Sequence, residues 1–178
     1  MKKLILRLVL MLAISGNVMA SDDVFTDKSY FNWKDLQLAD AVKEVRGNGS
    51  RVFAVFTEPA CGYCRKYEKT LAQLNNVTIY RFLLPLDSGN INRSIEIWCA
   101  GDSNQARLEK LHVAMRDWGS FFKNTSCKNP INKNVRFARK YDIYMTPTTI
   151  GADGRIVQGY LPLVNLELWL SGKGAFDK

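Results

Sequence analysis

The chain has 178 residues, of which 47% are hydrophobic and 24% are charged, and its formal charge at pH 7 is +8. This length can bury the core of one domain without depending on cross-links. The 25 lysines and arginines are spread along the sequence, and their densest cluster, residues 133–140, lies on a predicted helix whose apolar side chains face elsewhere. The basic excess therefore favours a solvated surface over a nucleic-acid site.

The first twenty residues have the pattern of a secretory signal. Lys2 and Lys3 supply the charged end, residues 8–14 the apolar stretch, and a small-residue cleavage site ends at Ala20. The apolar stretch, interrupted upstream by Arg7, is shorter than the roughly 18 to 20 residues of a membrane span. Loss of these three cations lowers the formal charge from +8 to +5. We expect export and cleavage after Ala20, with an uncleaved anchor as the alternative.

Hydrophobic periodicity predicts the first elements in chain order. Apolar residues at helical spacing predict a helix over 34–46, which ends at a Gly-Asn-Gly-Ser segment. The elements that follow are a buried strand over 51–57, a helix from Cys61 to about Leu74, and a second strand over 77–84. The order is therefore β-α-β.

The second half of the chain begins with a predicted helical insertion and ends with a hairpin and a helix. The predicted elements are helices over 90–99 and 103–118, a helix from Asn129-Pro130 to about Tyr141, strands over 148–150 and 155–160, and a final helix from Pro162 to Gly172. Asp153-Gly154 lies between the two strands and predicts a type I′ turn. No repeat or linker interrupts this order.

Cys61-Gly-Tyr-Cys64 lies between the first predicted strand and its helix. Two cysteines at this spacing can close a small disulfide, and the helix N-terminus stabilises the first sulfur as the reactive thiolate. The alternatives are an inert disulfide and half of a zinc site. Zinc fits poorly because the other cysteines, Cys99 and Cys127, form no second compact pair and the only histidine, His112, lies in a helical pattern. We expect redox chemistry without a metal or other cofactor.

Taken together, the elements describe an α/β thioredoxin-like fold with a helical insertion between the βαβ half and the C-terminal ββα half. Over residues 50–171 the chain resembles the catalytic domain of the periplasmic DsbC/DsbG disulfide isomerases. The motifs that carry this resemblance are Phe56-Thr-Glu-Pro-Ala-Cys-Gly-Tyr-Cys-Arg-Lys66, Ile97-Trp-Cys-Ala100, Cys127, Thr146-Pro147-Thr148 and Gly159-Tyr160. We divide the chain into a signal peptide (1–20), an N-terminal helical segment (21–49) and a catalytic domain (50–178).

The resemblance implies roles for the cysteines. Cys61 is expected to be the nucleophile and Cys64 the resolving thiol, so that the pair can isomerise or reduce protein disulfides. Cys99 and Cys127 are expected to form a structural disulfide, which fits the even cysteine count of an exported protein. Glu58 lies three residues before Cys61, and we favour a surface carboxylate over a role in proton transfer.

The resemblance also implies a substrate site, a compartment and partners. Pro147 is expected to be cis, the backbone of Thr146 to pair with an extended substrate, and Tyr63 to contact that substrate. The expected location is the periplasm, with a membrane reductase of the DsbD type as electron donor. With few residues before the first core strand, we expect a monomer. A disulfide donor and a redox-inactive peptide-binding module are the alternative functions.

Overall fold

The computed structural model describes residues 31–117 and 126–172. The expected signal peptide and Trp118, which ends a predicted helix, lie outside this part of the chain. Within it the elements are β1 (Val42–Arg46), β2 (Arg51–Thr57), α1 (Gly62–Leu71), β3 (Val77–Leu83), α2 (Ile91–Trp98), α3 (Asn104–Arg116), α4 (Ile131–Lys140), β4 (Thr148–Gly151), β5 (Ile156–Gln158) and α5 (Leu163–Leu170).

The strands form one mixed sheet in the order β1-β3-β2-β4-β5. Strands β2 and β3 are parallel and connected through α1, whereas β1, β4 and β5 each run antiparallel to their neighbour. Helices α2 and α3 lie in sequence between this βαβ unit and the C-terminal part. The predicted α/β thioredoxin-like fold with a helical insertion is thus confirmed.

Strand β2 has a core on each of its faces. Phe53 and Val55 pack in one cluster with Leu71 of α1, while Ala54 and Phe56 pack in a second cluster with the residues of α4. All four strand residues are fully buried. A strand that is covered on both faces has a continuous apolar sequence. This pattern is why β2 was predicted correctly. Its carboxyl end leads directly to Cys61.

The predicted helix over residues 34–46 is wrong. The chain there makes two short 3-10 turns, Trp33–Asp35 and Leu38–Asp40, and then strand β1. Residues 42–46 pair antiparallel with β3 and so satisfy its open edge. In addition, the Glu44 carboxylate reaches the buried Arg81 guanidinium of β3 at 2.8 Å. Both gains depend on a strand that is distant in sequence, and the local spacing of apolar residues contains no sign of them.

The turn between β4 and β5 also differs from the expectation. A type I′ turn needs positive φ at both central residues, and here Gly154 has φ +89° whereas Asp153 does not have positive φ. Gly154 also allows a close backbone approach, because its carbonyl accepts the Phe31 N–H at 2.8 Å. A Cβ atom at Gly154 would lie 2.5 Å from the Phe31 carbonyl oxygen. The glycine therefore lets the N-terminal segment cross the hairpin.

Candidate active site

Cys61 is the N-cap of α1, as its place between β2 and the helix predicted. Its sulfur accepts the Cys64 backbone N–H at 3.3 Å, which satisfies one of the unpaired donors at the helix start. Both cysteines are free thiols; Cys61 is half-buried and Cys64 has no exposed surface. Only the first sulfur of the pair is therefore accessible to another molecule.

The two thiols have pKa values that move in opposite directions. The hydrogen bond with the Cys64 thiol, helped by Thr146 and by the N–H groups of Cys64 and Tyr63, lowers the pKa of Cys61 to about 5 against the effect of its partial burial. Burial, and then the same hydrogen bond, raises the pKa of Cys64 well above its usual range. At neutral pH, Cys61 is a thiolate and Cys64 stays protonated. This is the division of roles that a nucleophile and a resolving thiol require.

The segment before β4 lies directly opposite Cys61. The Thr146-Pro147 peptide bond is cis, and the Thr146 carbonyl oxygen accepts the Cys61 thiol, when protonated, at a sulfur–oxygen distance of 3.2 Å. Among the described residues, no acceptor bonds the Thr146 N–H. The cis bond expected at Pro147 is therefore present, and Thr146 adjoins the reactive sulfur.

Tyr63 and His112, the other two residues considered from sequence, differ in their surroundings. The Tyr63 side chain, between the cysteines, is 65% exposed and available to a second molecule. His112 lies on α3 and is half-buried, and burial lowers its pKa. The structure shows no hydrogen bond between His112 and either active-site thiol.

Glu58 is not the surface carboxylate that we favoured from sequence. Its side chain is only 4% exposed, and one carboxyl oxygen accepts the Leu86 N–H at 3.3 Å. The other oxygen is buried and has no hydrogen bond among the residues that the structure describes. Burial raises its pKa, and the charge of Cys61 acts in the same direction. The sequence contained one indication of this burial. Glu58 directly follows the buried strand β2, so its position is still within the core.

A family model described as a thioredoxin-like domain matches residues 38–172. The chain belongs to this thioredoxin-like family. It is 34% identical over 139 residues to the probable thiol:disulfide interchange protein DsbC of Bordetella pertussis, an alignment that covers 76% of this chain and 47% of the relative. The DsbC protein of Escherichia coli K12 is 29% identical over 116 residues, or 62% of this chain and 47% of the relative. The chain thus spans about half the length of the curated relatives it matches.

Solved structures agree with this assignment. The disulfide interchange protein from Neisseria gonorrhoeae has a TM-score of 0.69 and 29% identity, covering 78% of this chain and 99% of that one. A periplasmic thioredoxin-like protein from Salmonella enterica serovar Typhimurium has a TM-score of 0.61 at 18% identity, covering 75% of this chain and 90% of that one. At that identity the second comparison supports the fold alone.

The thioredoxin-like domain contains one charged group that the sequence reading missed. Arg81 in β3 is 1% exposed, and its Nε and Nη2 atoms bond the two carboxyl oxygens of Glu68 in α1 at 2.9 and 3.1 Å. With Glu44 of β1 it joins three elements beneath the active-site helix. The only local signal was a single arginine within the apolar run Val77–Leu83.

Cys99 and Cys127 form a disulfide with a Cα–Cα distance of 5.8 Å. The bridge joins the end of α2 to the residues before α4, so it closes the part of the chain that contains α3. The pairing expected from the resemblance is thus present in the structure.

Two absences hold for residues 31–117 and 126–172, the part of the chain that the structure describes. No group of three or more His, Cys, Asp or Glu side chains there could hold a metal ion. No helix within 31–117 or 126–172 has the length and apolar character to cross a membrane.

Proposed function

We propose that the protein is an exported thiol-disulfide oxidoreductase that acts on protein disulfides as an isomerase or reductase. The observation that carries this proposal is the accessible Cys61 sulfur with a pKa of about 5, placed beside the buried and protonated Cys64. Curated relatives named as thiol:disulfide interchange proteins support the same reaction class.

The reaction begins when the Cys61 thiolate attacks one sulfur of a client disulfide. A mixed disulfide forms with Cys61, and the second client sulfur leaves as a thiolate that takes a proton from solvent. If another client thiolate attacks the mixed disulfide at the client sulfur, a new client disulfide forms and Cys61 leaves unchanged. This sequence of steps is isomerisation.

The second route is reduction. Cys64 loses its proton and attacks the Cys61 sulfur of the mixed disulfide, so the client leaves as a thiolate and a Cys61–Cys64 disulfide forms. Two electrons have then moved from the enzyme to the client. The raised pKa of Cys64 slows this step, which gives the client time to rearrange while it is bound.

The client segment lies against Thr146 and Pro147 in this proposal. The Thr146 N–H, which has no acceptor within 31–117 or 126–172, and the Thr146 carbonyl oxygen can pair with an extended backbone, as in strand addition. The exposed Tyr63 ring contacts the same client segment. These contacts are to the backbone and to one ring, so they hold many client sequences.

A supply of electrons is needed once the Cys61–Cys64 disulfide has formed. The resemblance to DsbC points to a membrane reductase of the DsbD type and to the periplasm as the place where they meet. The N-terminal signal pattern, with cleavage expected after Ala20, supports that location.

One observation favours a second candidate, a disulfide donor. Stabilising the Cys61 thiolate stabilises the dithiol form of the enzyme, and a protein whose dithiol is strongly stabilised is an oxidant. The two directions differ in the state of the pair in the cell: a reductase or isomerase is kept reduced and a donor is kept oxidised.

The deciding experiment measures that state by acid quenching of cells and alkylation with a mass-tagging reagent. Cys99→Ser/Cys127→Ser serves as the reference, because only the active-site pair then remains. A mostly reduced pair supports the isomerase or reductase, and a mostly oxidised pair supports the donor. In vitro, Cys64→Ser should accumulate a mixed disulfide with a client and Cys61→Ser should form none; a Cys61→Ser protein that still exchanges disulfides contradicts both candidates.

A further inference from the structure

A cavity of about 260 Å³ opens between the loop after β3 and the loop after α4. Its walls are mostly apolar, and Leu84, Leu86, Ile143 and Tyr144 belong to the two loops. The volume is below the roughly 300 to 1,000 Å³ of sites for small molecules. It is therefore suited to a single large side chain rather than to a cofactor.

Both walls of this cavity are connected to Cys61 by short paths. Leu86 donates its N–H to the Glu58 carboxylate at 3.3 Å, and the Glu58 carbonyl accepts the Cys61 N–H at 3.1 Å. On the other wall, Tyr144 is two residues before Thr146, whose carbonyl contacts the Cys61 sulfur. Two residues span at most about 7 Å of chain, so the cavity adjoins the place where a client cysteine meets Cys61.

The rim of the cavity leaves apolar surface in contact with water. Leu86 is 51% exposed, Tyr144 is 68% exposed, and the neighbouring Met145 is 38% exposed. Apolar side chains gathered beside a concave site are typical of an interaction surface. A client that covers them would remove this apolar area from water, which is favourable.

We propose that this cavity binds a bulky apolar side chain of the client, located two or three residues from the client cysteine that reacts with Cys61. The inference rests on the proposed disulfide exchange at Cys61. An extended client rises about 3.3 Å per residue, so such a residue reaches the cavity while its cysteine is at the sulfur.

The test uses peptides with one cysteine, each linked through a mixed disulfide to thionitrobenzoate. Attack by the Cys61 thiolate on the peptide sulfur joins the peptide to Cys61 and releases coloured thionitrobenzoate, so one turnover is followed by absorbance. Phenylalanine is placed two or three residues before or after the cysteine in otherwise serine-rich peptides. The measured quantity is the ratio of rate constants between the best phenylalanine peptide and the all-serine peptide.

We expect this ratio to be about tenfold or more for the wild-type protein, and to fall to nearly one in Leu86→Ser/Tyr144→Ser. The matched control is Val164→Ser on α5, where the side chain is also 68% exposed, and it should keep the wild-type ratio. A ratio near one in the wild type, or an unchanged ratio in the double variant, overturns the inference but leaves disulfide exchange intact. If the wild-type protein releases no thionitrobenzoate from any peptide, the proposed function itself fails.

Discussion

Hydrogen bonds at the N-terminus of α1 lower the pKa of Cys61. The titration of this thiol can be measured through its reaction rate. Because its pKa is about 5, the alkylation rate of the reduced protein by iodoacetamide should rise with pH around a midpoint near 5 and stay level above about pH 7. The direction follows from chemistry, since the thiolate is the reacting form. Cys61→Ser should show no such phase, because Cys64 is buried and protonated. A midpoint near 8.5, the value of an ordinary cysteine, would contradict the geometry described here.

Glu58 should oppose the Cys61 thiolate, because a buried carboxylate and a nearby thiolate are like charges and each disfavours the other. We therefore expect Glu58→Gln to lower the midpoint of Cys61 alkylation. Asp87 and Arg93 also act on this carboxyl group, with opposite signs, and both remain in the variant. Glu109→Gln, at an exposed position of α3, is the control and should leave the midpoint in place. An unchanged or higher midpoint in Glu58→Gln argues against this coupling.

At the scale of elements, Arg81 of β3 connects α1 and β1 through its ion pairs with Glu68 and Glu44. Replacing it with leucine leaves Glu68 without its cation and Glu44 with Arg46 alone, and removing one partner from a buried ion pair costs about 3 to 5 kcal/mol. We expect Arg81→Leu to lower the free energy of unfolding in urea by that amount. Arg51→Leu is the control: its ion pair with Glu167 is partly exposed, so its loss should cost about 1 kcal/mol or less. Equal losses in the two variants would show that Arg81 is not an anchor.

The elements that the sequence predicted well are those with a long and unambiguous pattern. Strand β2 is apolar over residues 52–56, β3 is mostly apolar, and α4 keeps a regular apolar stripe. Even there the ends differ: the helix was expected from Asn129-Pro130, whereas α4 begins at Ile131 with Pro130 as its N-cap. Strand β1 was missed because apolar residues three and four apart over so short a segment suit a helix equally well. Its pairing with β3 and its ion pair with Arg81 favour the strand over the helix.

At the scale of the whole molecule, the active site also depends on contacts between distant residues that the sequence pattern does not reveal. The motif at Cys61 and the Thr146-Pro147 pair were recognised from sequence, but their contact joins residues 85 positions apart. Glu58 was assigned to the surface because its burial depends on the loop at Leu86, which follows a different strand. A sequence motif names the reacting groups, whereas their pKa values depend on neighbours that only the fold brings together.

The Cys99–Cys127 bridge also acts on the molecule as a whole, chiefly through the unfolded chain. It closes a loop of 28 positions, and on the chain-entropy estimate such a cross-link is worth about 3 to 4 kcal/mol. Cys99→Ser/Cys127→Ser should therefore unfold at a lower urea concentration, with a steeper dependence on urea because its unfolded state exposes more surface. The midpoint of Cys61 alkylation should remain near 5 in this variant, since no hydrogen bond at Cys61 involves the bridge. A shifted midpoint would instead assign the bridge a part in positioning the active site.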